Sequence, residues 1–328
     1  EMCIRDRGYL EPQVCLASPE PMGGMTIYTS TQGPRTIHKD VARLLDLPHS
    51  SINVVPMTVG GGFGGKHGLL EPLAVAVALE MKAPVKLELS RTEDFMTSMP
   101  APAARVWLKM GVRKDGAICA IQAEIDIDNG VYAAASWCEL LARLLASGYK
   151  TPNLKIDCRE VLTHKPMAGP YRAPTAQTAS FAMESHMDDL ARSLNLDPIE
   201  FRIKNAASAG DPMVHGRPWP SLGLKECLSA LKESIAWKNR DSAENEGWGL
   251  AVGLWPCGVS PASAICQMLR NGKVQVQLGS VDISGINSGF TQVVAEILSV
   301  DPDCVEIVQG NSHAAPYAPP SGGSQVSY

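Results

Sequence analysis

No two cysteines in this chain stand as C-x-x-C: the nine lie apart, at 3, 15, 119, 138, 158, 227, 257, 266 and 304. That leaves no ligand spacing for structural zinc or iron–sulfur. An odd, dispersed set points to reduced thiols of a cytoplasmic protein, each a small buried hydrophobe, rather than to a disulfide framework. No run of eighteen apolar residues exists, so no membrane-spanning helix is predicted, and the N-terminal stretch has no apolar signal-peptide core. There is no basic block and no interleaving of aromatic and basic residues, and the net charge is −5, which argues against a nucleic-acid partner. Repeats and low-complexity tracts are also missing. What remains, at 328 residues with 45% hydrophobic and 19% charged, is globular material for two domains or one large one.

The most informative stretch is Gly60-Gly61-Gly62-Phe63-Gly64-Gly65-Lys66-His67. Residues 52–59 before it are β-branched and short, and predict a strand. Residues 69–81 after it are rich in Ala and Leu, and predict a helix with Pro72 in its first turn. A glycine loop between strand and helix exposes backbone N–H groups to an anion or a metal-bound oxygen. Three readings stay open on these residues alone. Residues 60–65 satisfy G-x-G-x-x-G, with Glu88 at the distance of a ribose-binding acid, as in a dinucleotide site. Residues 60–66 satisfy most of a P-loop, but His67 replaces the magnesium-binding hydroxyl. The third is a tight turn with no ligand.

Taken in order, residues 25–32 predict a strand ending on Gln32, which by itself reads as a solvent-facing strand end, and residues 40–46 a short helix. Residues 106–110 and 121–127 predict a hairpin about Lys114-Asp115-Gly116, followed by an apolar helix over 131–147. A proline-punctuated loop, residues 168–177, presents Arg172 and Gln177. It leads into a helix over 181–194 that places His186 on its flank, and Asp197-Pro198 opens another helix. Residues 208–245 turn polar, with the domain boundary expected near 242–246. Beyond it come strands at 249–254, 264–269, 274–278 and 305–308, an Asn271-Gly272 turn, and a helix over 290–298. Two more small-residue loops lie at 282–289 and 319–325.

Three such loops, two carrying side-chain amides, suit a long anionic cofactor held from several sides. The chain resembles the large, molybdenum-binding subunit of the xanthine dehydrogenase, aldehyde oxidase and aerobic carbon monoxide dehydrogenase family. Four ordered segments carry the resemblance: residues 60–66, residues 169–177 with Glu184-x-x-Met187-Asp188-x-Leu190-Ala191, residues 197–205, and residues 321–325. It covers residues 9–328. It implies a mixed α/β (α+β) fold of two molybdopterin-cofactor-binding domains, 9–240 and 246–328, the second truncated. Residues 1–8 read as a non-native junction, and the chain as an N-terminal fragment, inactive alone.

The resemblance further implies hydroxylation of an aldehyde or N-heterocycle with oxygen from water, by a molybdopterin-dependent oxidoreductase. The cofactor is expected in its cytosine dinucleotide form, with molybdenum held through the pterin and no direct protein metal ligand. Electrons would pass to iron–sulfur and FAD subunits in a hetero-oligomer. Gln32, Phe63 and Arg172 match catalytic positions. Gly62, Phe63, Gly64, Gly285, Asn287, Gly322, Gly323, Ser324 and Gln325 match cofactor-binding loops, and His67 and Arg172 substrate positions. His67 stands where purine-oxidising members carry Glu, Ala173 where carbon monoxide oxidisers carry Cys, and Asn311-Ser312 where relatives often carry Asp-Thr. The family's general base, a Glu in Gly-x-Gly-Glu, has no counterpart in these residues. Glu11, Glu71 and Glu184 are expected to be turn or helix-surface carboxylates instead. The alternatives are an NAD-dependent dehydrogenase using residues 60–65, and a degenerate, non-catalytic scaffold paralogue.

Overall fold

A computed structural model describes residues 8–240, 244–256 and 258–327. Apart from Gly8, the expected junction at 1–8 therefore lies outside the described residues, as do positions 242 and 243 of the expected boundary. The chain forms two compact units. The first gathers residues up to Met99, Pro170–Arg172 and those from Pro256 on; the second comprises Pro100–Gly169 and Ala173–Trp255. All six tryptophans, at 107, 137, 219, 237, 248 and 255, belong to the second unit.

The first unit opens with β1 (Val14–Pro19), β2 (Met25–Thr29), α1 (Pro34–Leu45), β3 (Ile52–Pro56), α2 (Glu71–Met81), β4 (Val85–Glu88) and α3 (Arg91–Thr97). The strands order as β3-β2-β1-β4; β1 is antiparallel to β2 and β4, and β2 is parallel to β3. Alternation in β3 turns Ile52 and Val54 inward, and the i, i+4 pairs Ile37/Val41 and Ala74/Ala78 place α1 and α2 in the same core. Each large aliphatic side chain buried there contributes about 1.5–3 kcal/mol. Helix α3 was not expected; Ser90 and Glu93 form a capping box at its start.

The second unit contains β5 (Ala103–Val112), β6 (Ile118–Gly130), α4 (Trp137–Leu145), β7 (Leu154–Leu162), α5 (Ala176–Ser193), α6 (Pro198–Asn205), α7 (Leu224–Glu233) and α8 (Ile235–Lys238). The predicted hairpin forms, with Gly116 at φ +83° in its turn, and β7 adds in parallel along β6. Ile121, Ala123, Ile125 and Ile127 make one buried face, joined in a single core by Leu141 of α4 and by Met183 and Met187 of α5. The helix expected over 131–147 covers only 137–145. No strand forms at 249–254, where the Val252 N–H donates to the Glu184 carboxylate at 2.9 Å instead of to a neighbouring strand.

The chain then returns to the first unit with β8 (Ala264–Met268), β9 (Val274–Leu278), α9 (Ile286–Leu298) and β10 (Val305–Gln309), in a sheet ordered β10-β9-β8. This segment is tied to β3 by two bonds. The Ser312 N–H donates to the Val54 carbonyl at 2.9 Å, and the Val54 N–H donates to Ser312 Oγ at 2.8 Å. Of the seven described cysteines all are free; only Cys15 and Cys138 are buried, and Cys158, Cys227 and Cys266 are exposed, which corrects the expectation that each fills a core. No helix among the described residues is long and apolar enough to cross a membrane.

Candidate functional site

The glycine loop leaves β3 and does not open a helix: α2 begins at Glu71, six positions after Gly65. This removes the geometry that a dinucleotide fingerprint needs. In addition, β3 and β4 lie at opposite edges of their sheet, and Glu88 is exposed and paired with Lys86 at 2.6 Å. The P-loop reading fails too, because Lys66 turns inward, 1% exposed, to Glu11 Oε2 at 2.6 Å. Residues 60–66 are a backbone-lined loop held from below.

Gln32 does much of the holding. It is 5% exposed, three residues past the end of β2, so it is no solvent-facing strand end. Its Oε1 accepts from the Gly64 N–H at 3.0 Å and the Lys66 N–H at 3.3 Å. Its Nε2 donates to the Ser321 carbonyl at 2.7 Å, and its own carbonyl accepts from the Ser321 N–H at 2.7 Å. One side chain therefore joins the glycine loop to the loop at 319–325. The loop at 282–289 is joined separately: the Val59 N–H donates to the Asp282 carbonyl at 2.8 Å, and Val59 pairs in parallel with Ile283. All three small-residue loops converge.

Phe63, 44% exposed, sits at φ +49°, a left-handed conformation that a bulky residue adopts only under external constraint. The constraint is visible. Its carbonyl accepts from the Arg172 N–H at 2.9 Å, and the exposed Arg172 guanidinium lies 5.9 Å from its ring centroid. Gly64, at φ +96°, is packed so closely that a Cβ would lie 2.5 Å from the Pro170 carbonyl oxygen. At Gly62 a Cβ would lie 2.4 Å from Gln32 Oε1. The structure thus brings Gln32, Gly62, Phe63, Gly64 and Arg172 together. Half-buried His67 follows Lys66, its Nδ1 3.5 Å from where a Cβ on Gly33 would stand.

The other two loops present donors. Gly323 and Ser324 are at φ +64° and +59°, and Ser284 and Gly285 at +58° and +76°. Among the described residues, the N–H groups of Gly285, Gly322, Gly323 and Ser324 have no acceptor. Successive N–H groups in such turns form a concavity suited to an anion. Asn287 Oδ1, at the start of α9, is buried with no hydrogen-bond partner, and its backbone N–H donates to Asp282 Oδ1 at 3.3 Å. Gln325 Nε2 is engaged, donating to the Pro320 carbonyl at 3.0 Å. Beside these residues a cavity of about 250 Å³ is lined by Ser263, Leu278, Ser280, Phe290, Pro320 and Gln325. No group of three or more His, Cys, Asp or Glu among the described residues is placed to hold a metal ion.

Of the three carboxylates expected at turns or helix surfaces, Glu11 does sit at a bend, whereas Glu71 and Glu184 are buried. Glu71, 5% exposed, accepts from Thr29 Oγ1 at 2.6 Å and the Leu69 N–H at 3.0 Å. Glu184, also 5% exposed, accepts from Tyr149 Oη at 2.7 Å and Arg202 Nε at 2.8 Å. Glu11, partly exposed, binds Lys66 and Ser30. Burial pushes the Glu11 carboxyl up, but hydrogen bonds from Lys66, Ser30 and Gly60 outweigh it and hold the group below its ordinary value. Asn311, expected as a site departure, caps its own turn by accepting from the His313 and Ala314 N–H groups at 3.0 Å each. His186, expected on a flank, is half-buried with Nε2 unpartnered, and burial holds its imidazole below the ordinary value.

Two molybdopterin cofactor-binding domain families match, over residues 4–206 and 225–328. The chain is 32% identical over 344 residues to the xanthine dehydrogenase molybdenum-binding subunit of Escherichia coli O157:H7, covering 98% of this chain and 45% of that protein. It is 34% identical over 229 residues to the nicotinate dehydrogenase large molybdopterin subunit of Eubacterium barkeri, covering 69% and 54%. The fold is shared with quinoline 2-oxidoreductase from Pseudomonas putida 86, at a TM-score of 0.88 and 24% identity over 97% of this chain and 45% of that one. The chain spans about half the length of the curated relatives it matches.

Proposed function

This chain belongs to the molybdopterin cofactor-binding domain family, and from that premise we propose that the protein carrying it is a molybdenum hydroxylase, oxidising an aldehyde or N-heterocycle with oxygen from water. The convergence of three loops through Gln32 and Val59 carries this reading. The residues present fit the group. Unengaged N–H donors at Gly285, Gly322, Gly323 and Ser324 suit phosphate oxygens, and the orphaned Asn287 Oδ1 suits a ring N–H of a pterin.

When bound, the cofactor supplies the redox-active molybdenum. The chain's own residues orient and shield. Gln32 holds the Gly64 and Lys66 N–H groups in register and keeps one amide hydrogen for the ligand. Gly62, Phe63 and Gly64 set bare backbone against the cofactor, since any Cβ at 62 or 64 would collide with protein. Exposed Arg172, braced on Phe63, is the cation for a polar substrate, and His67 is assigned to the substrate side. Gln325 braces its own loop. The finer assignments follow the family: the cytosine dinucleotide form, iron–sulfur and FAD partner subunits, a cytoplasmic hetero-oligomer, and cofactor-binding domains at 9–240 and 246–328.

The test is to purify the whole protein that contains this chain from a host competent in molybdenum cofactor synthesis. Pterin would be measured by fluorescence after oxidative release, molybdenum by mass spectrometry, and dye reduction with aldehydes and N-heterocycles. Arg172→Ala should lower kcat/KM by tenfold or more, about 1.4 kcal/mol, with pterin content unchanged. Protein purified from that host without pterin or molybdenum refutes the proposal.

A further inference from the structure

The glycine loop is gripped at both ends by a single carboxylate oxygen. Glu11 Oε2 accepts from the Gly60 N–H at 2.7 Å, where the loop begins, and from Lys66 Nζ at 2.6 Å, where it ends. Ser30 closes the ring, donating to Glu11 Oε2 at 2.7 Å and accepting from Lys66 Nζ at 2.9 Å. The Lys66 ammonium lies 4.8 Å from the Tyr9 ring centroid, in reach of a cation–π contact. Fit is tight here as well: a Cβ on Gly60 would lie 2.5 Å from the Glu11 Cβ.

Stability alone does not account for a lysine in this place. Its side chain is 1% exposed, so its charge is removed from water, while Glu11 stays 31% exposed. An apolar side chain of the same length would fill the slot with no charge to desolvate, and such replacements are commonly neutral or stabilising. An ion pair differs from an apolar plug in being directional. Here the direction is along the loop: one oxygen fixes the distance between the first N–H and the last side chain. Residues 61–63 between them are left to project, and their N–H groups have no acceptor among the described residues.

We propose that Glu11 and Lys66 are positioning residues, a clasp that sets the span of the glycine loop and so the aim of its N–H groups at the cofactor. The cofactor half of this rests on the function proposed above; the clasp itself does not. Neither residue touches the cofactor, and both act through the backbone of residues 60–66.

The experiment uses two variants of the whole protein, Lys66→Met and Glu11→Gln, with hydrogen exchange followed by mass spectrometry, pterin retention on gel filtration, and the visible absorption of the loaded protein. The expected result is at least tenfold faster exchange of the bonded loop amides, those of Gly60, Gly64, Gly65 and Lys66, with β1–β4 amides unchanged. Pterin retention should fall at least fivefold, and the absorption band should shift in whatever fraction stays loaded. Exchange rising equally across β1–β4 would make the pair merely structural and overturn the proposal, as would wild-type exchange in both variants. If Lys66→Met fails to fold, Glu11→Gln decides, because it keeps an acceptor for Gly60 and removes only the charge. Wild-type protein that holds no pterin would sink the cofactor reading, while the loop exchange would still decide the clasp.

Discussion

Replacing Gly62 with Ala should damage the site through Gln32, which supplies the three atoms nearest to the new methyl. The new methyl would stand 2.4 Å from Gln32 Oε1, 2.8 Å from its Cδ and 3.0 Å from its Cγ. Relief requires the amide to withdraw by about 1 Å, because Cβ contacts below about 3.3 Å are strongly repulsive. Withdrawal breaks the bonds to the Gly64 and Lys66 N–H groups and strains the one to the Ser321 carbonyl. At about 1 kcal/mol per bond, with more for each N–H left buried and unpaired, Gly62→Ala should cost about 2–4 kcal/mol. Gln32→Ala should cost a similar amount by deleting the same bonds. In the double variant the collision is gone and the lost bonds are counted once, so the coupling should be about 2–3 kcal/mol in the favourable direction. Tryptophan emission cannot read this, since every tryptophan belongs to the other unit. Native-state hydrogen exchange at β2 and β3 amides, against denaturant, gives the local free energies. Costs that simply add, within about 0.5 kcal/mol, would refute the reasoning.

Arg202 and Glu184 form an ion pair 0% and 6% exposed, so Arg202→Met strands a buried carboxylate and should cost about 3–5 kcal/mol, measured by denaturant titration of tryptophan fluorescence. Gly130, at φ +69°, would place a Cβ 2.0 Å from the Pro166 carbonyl oxygen; Gly130→Ala should cost at least about 3 kcal/mol by the same assay. Hydrogen bonds from Lys165, Thr163 and the Gly130 N–H hold the Asp128 carboxyl down at about 2. A depressed carboxyl stabilises the fold above its unfolded value of 3.8 and loses that contribution as pH falls towards about 2. Because Lys165 is 67% exposed, screening limits the effect to about 1 kcal/mol, and Lys165→Met should flatten the acid limb of a stability–pH curve.

The parts of the fold written in short-range chemistry were legible. The hairpin about Asp115-Gly116, the Asp197-Pro198 helix start and the three glycine loops each have a local cause, and the four motif segments carried the expectation that the loops serve one ligand. Five elements were missed: β1, α3, β7, α7 and α8. Helix α3 had a readable capping box in Ser90 and Glu93, and α7 a readable stripe in Leu224, Leu228 and Leu231. Strand β7 had no signal: eight of its nine residues are exposed, so no burial pattern marks Lys155-Ile156-Asp157-Cys158-Arg159. The buried carboxylates were misread for a related reason. Whether Glu184 is a surface group or the partner of Arg202 depends on a contact 18 residues away. Gln32 was identified only through motif resemblance, since its grip on Ser321 spans 289 positions.

Those spans also set a timetable. The bond between Val54 and Ser312 joins residues 258 apart, and the second unit lies wholly between them along the chain. At about 5–20 residues per second of synthesis, β3 would wait about 13–50 s for its partner. The second unit, complete by Trp255, can fold in that interval, whereas Gln32 has no Ser321 to hold until nearly all of this stretch has been made. The joining of the glycine loop to the loop at 319–325 is therefore among the last contacts of this stretch to form, and a cofactor that needs both loops would be delivered after translation of this stretch.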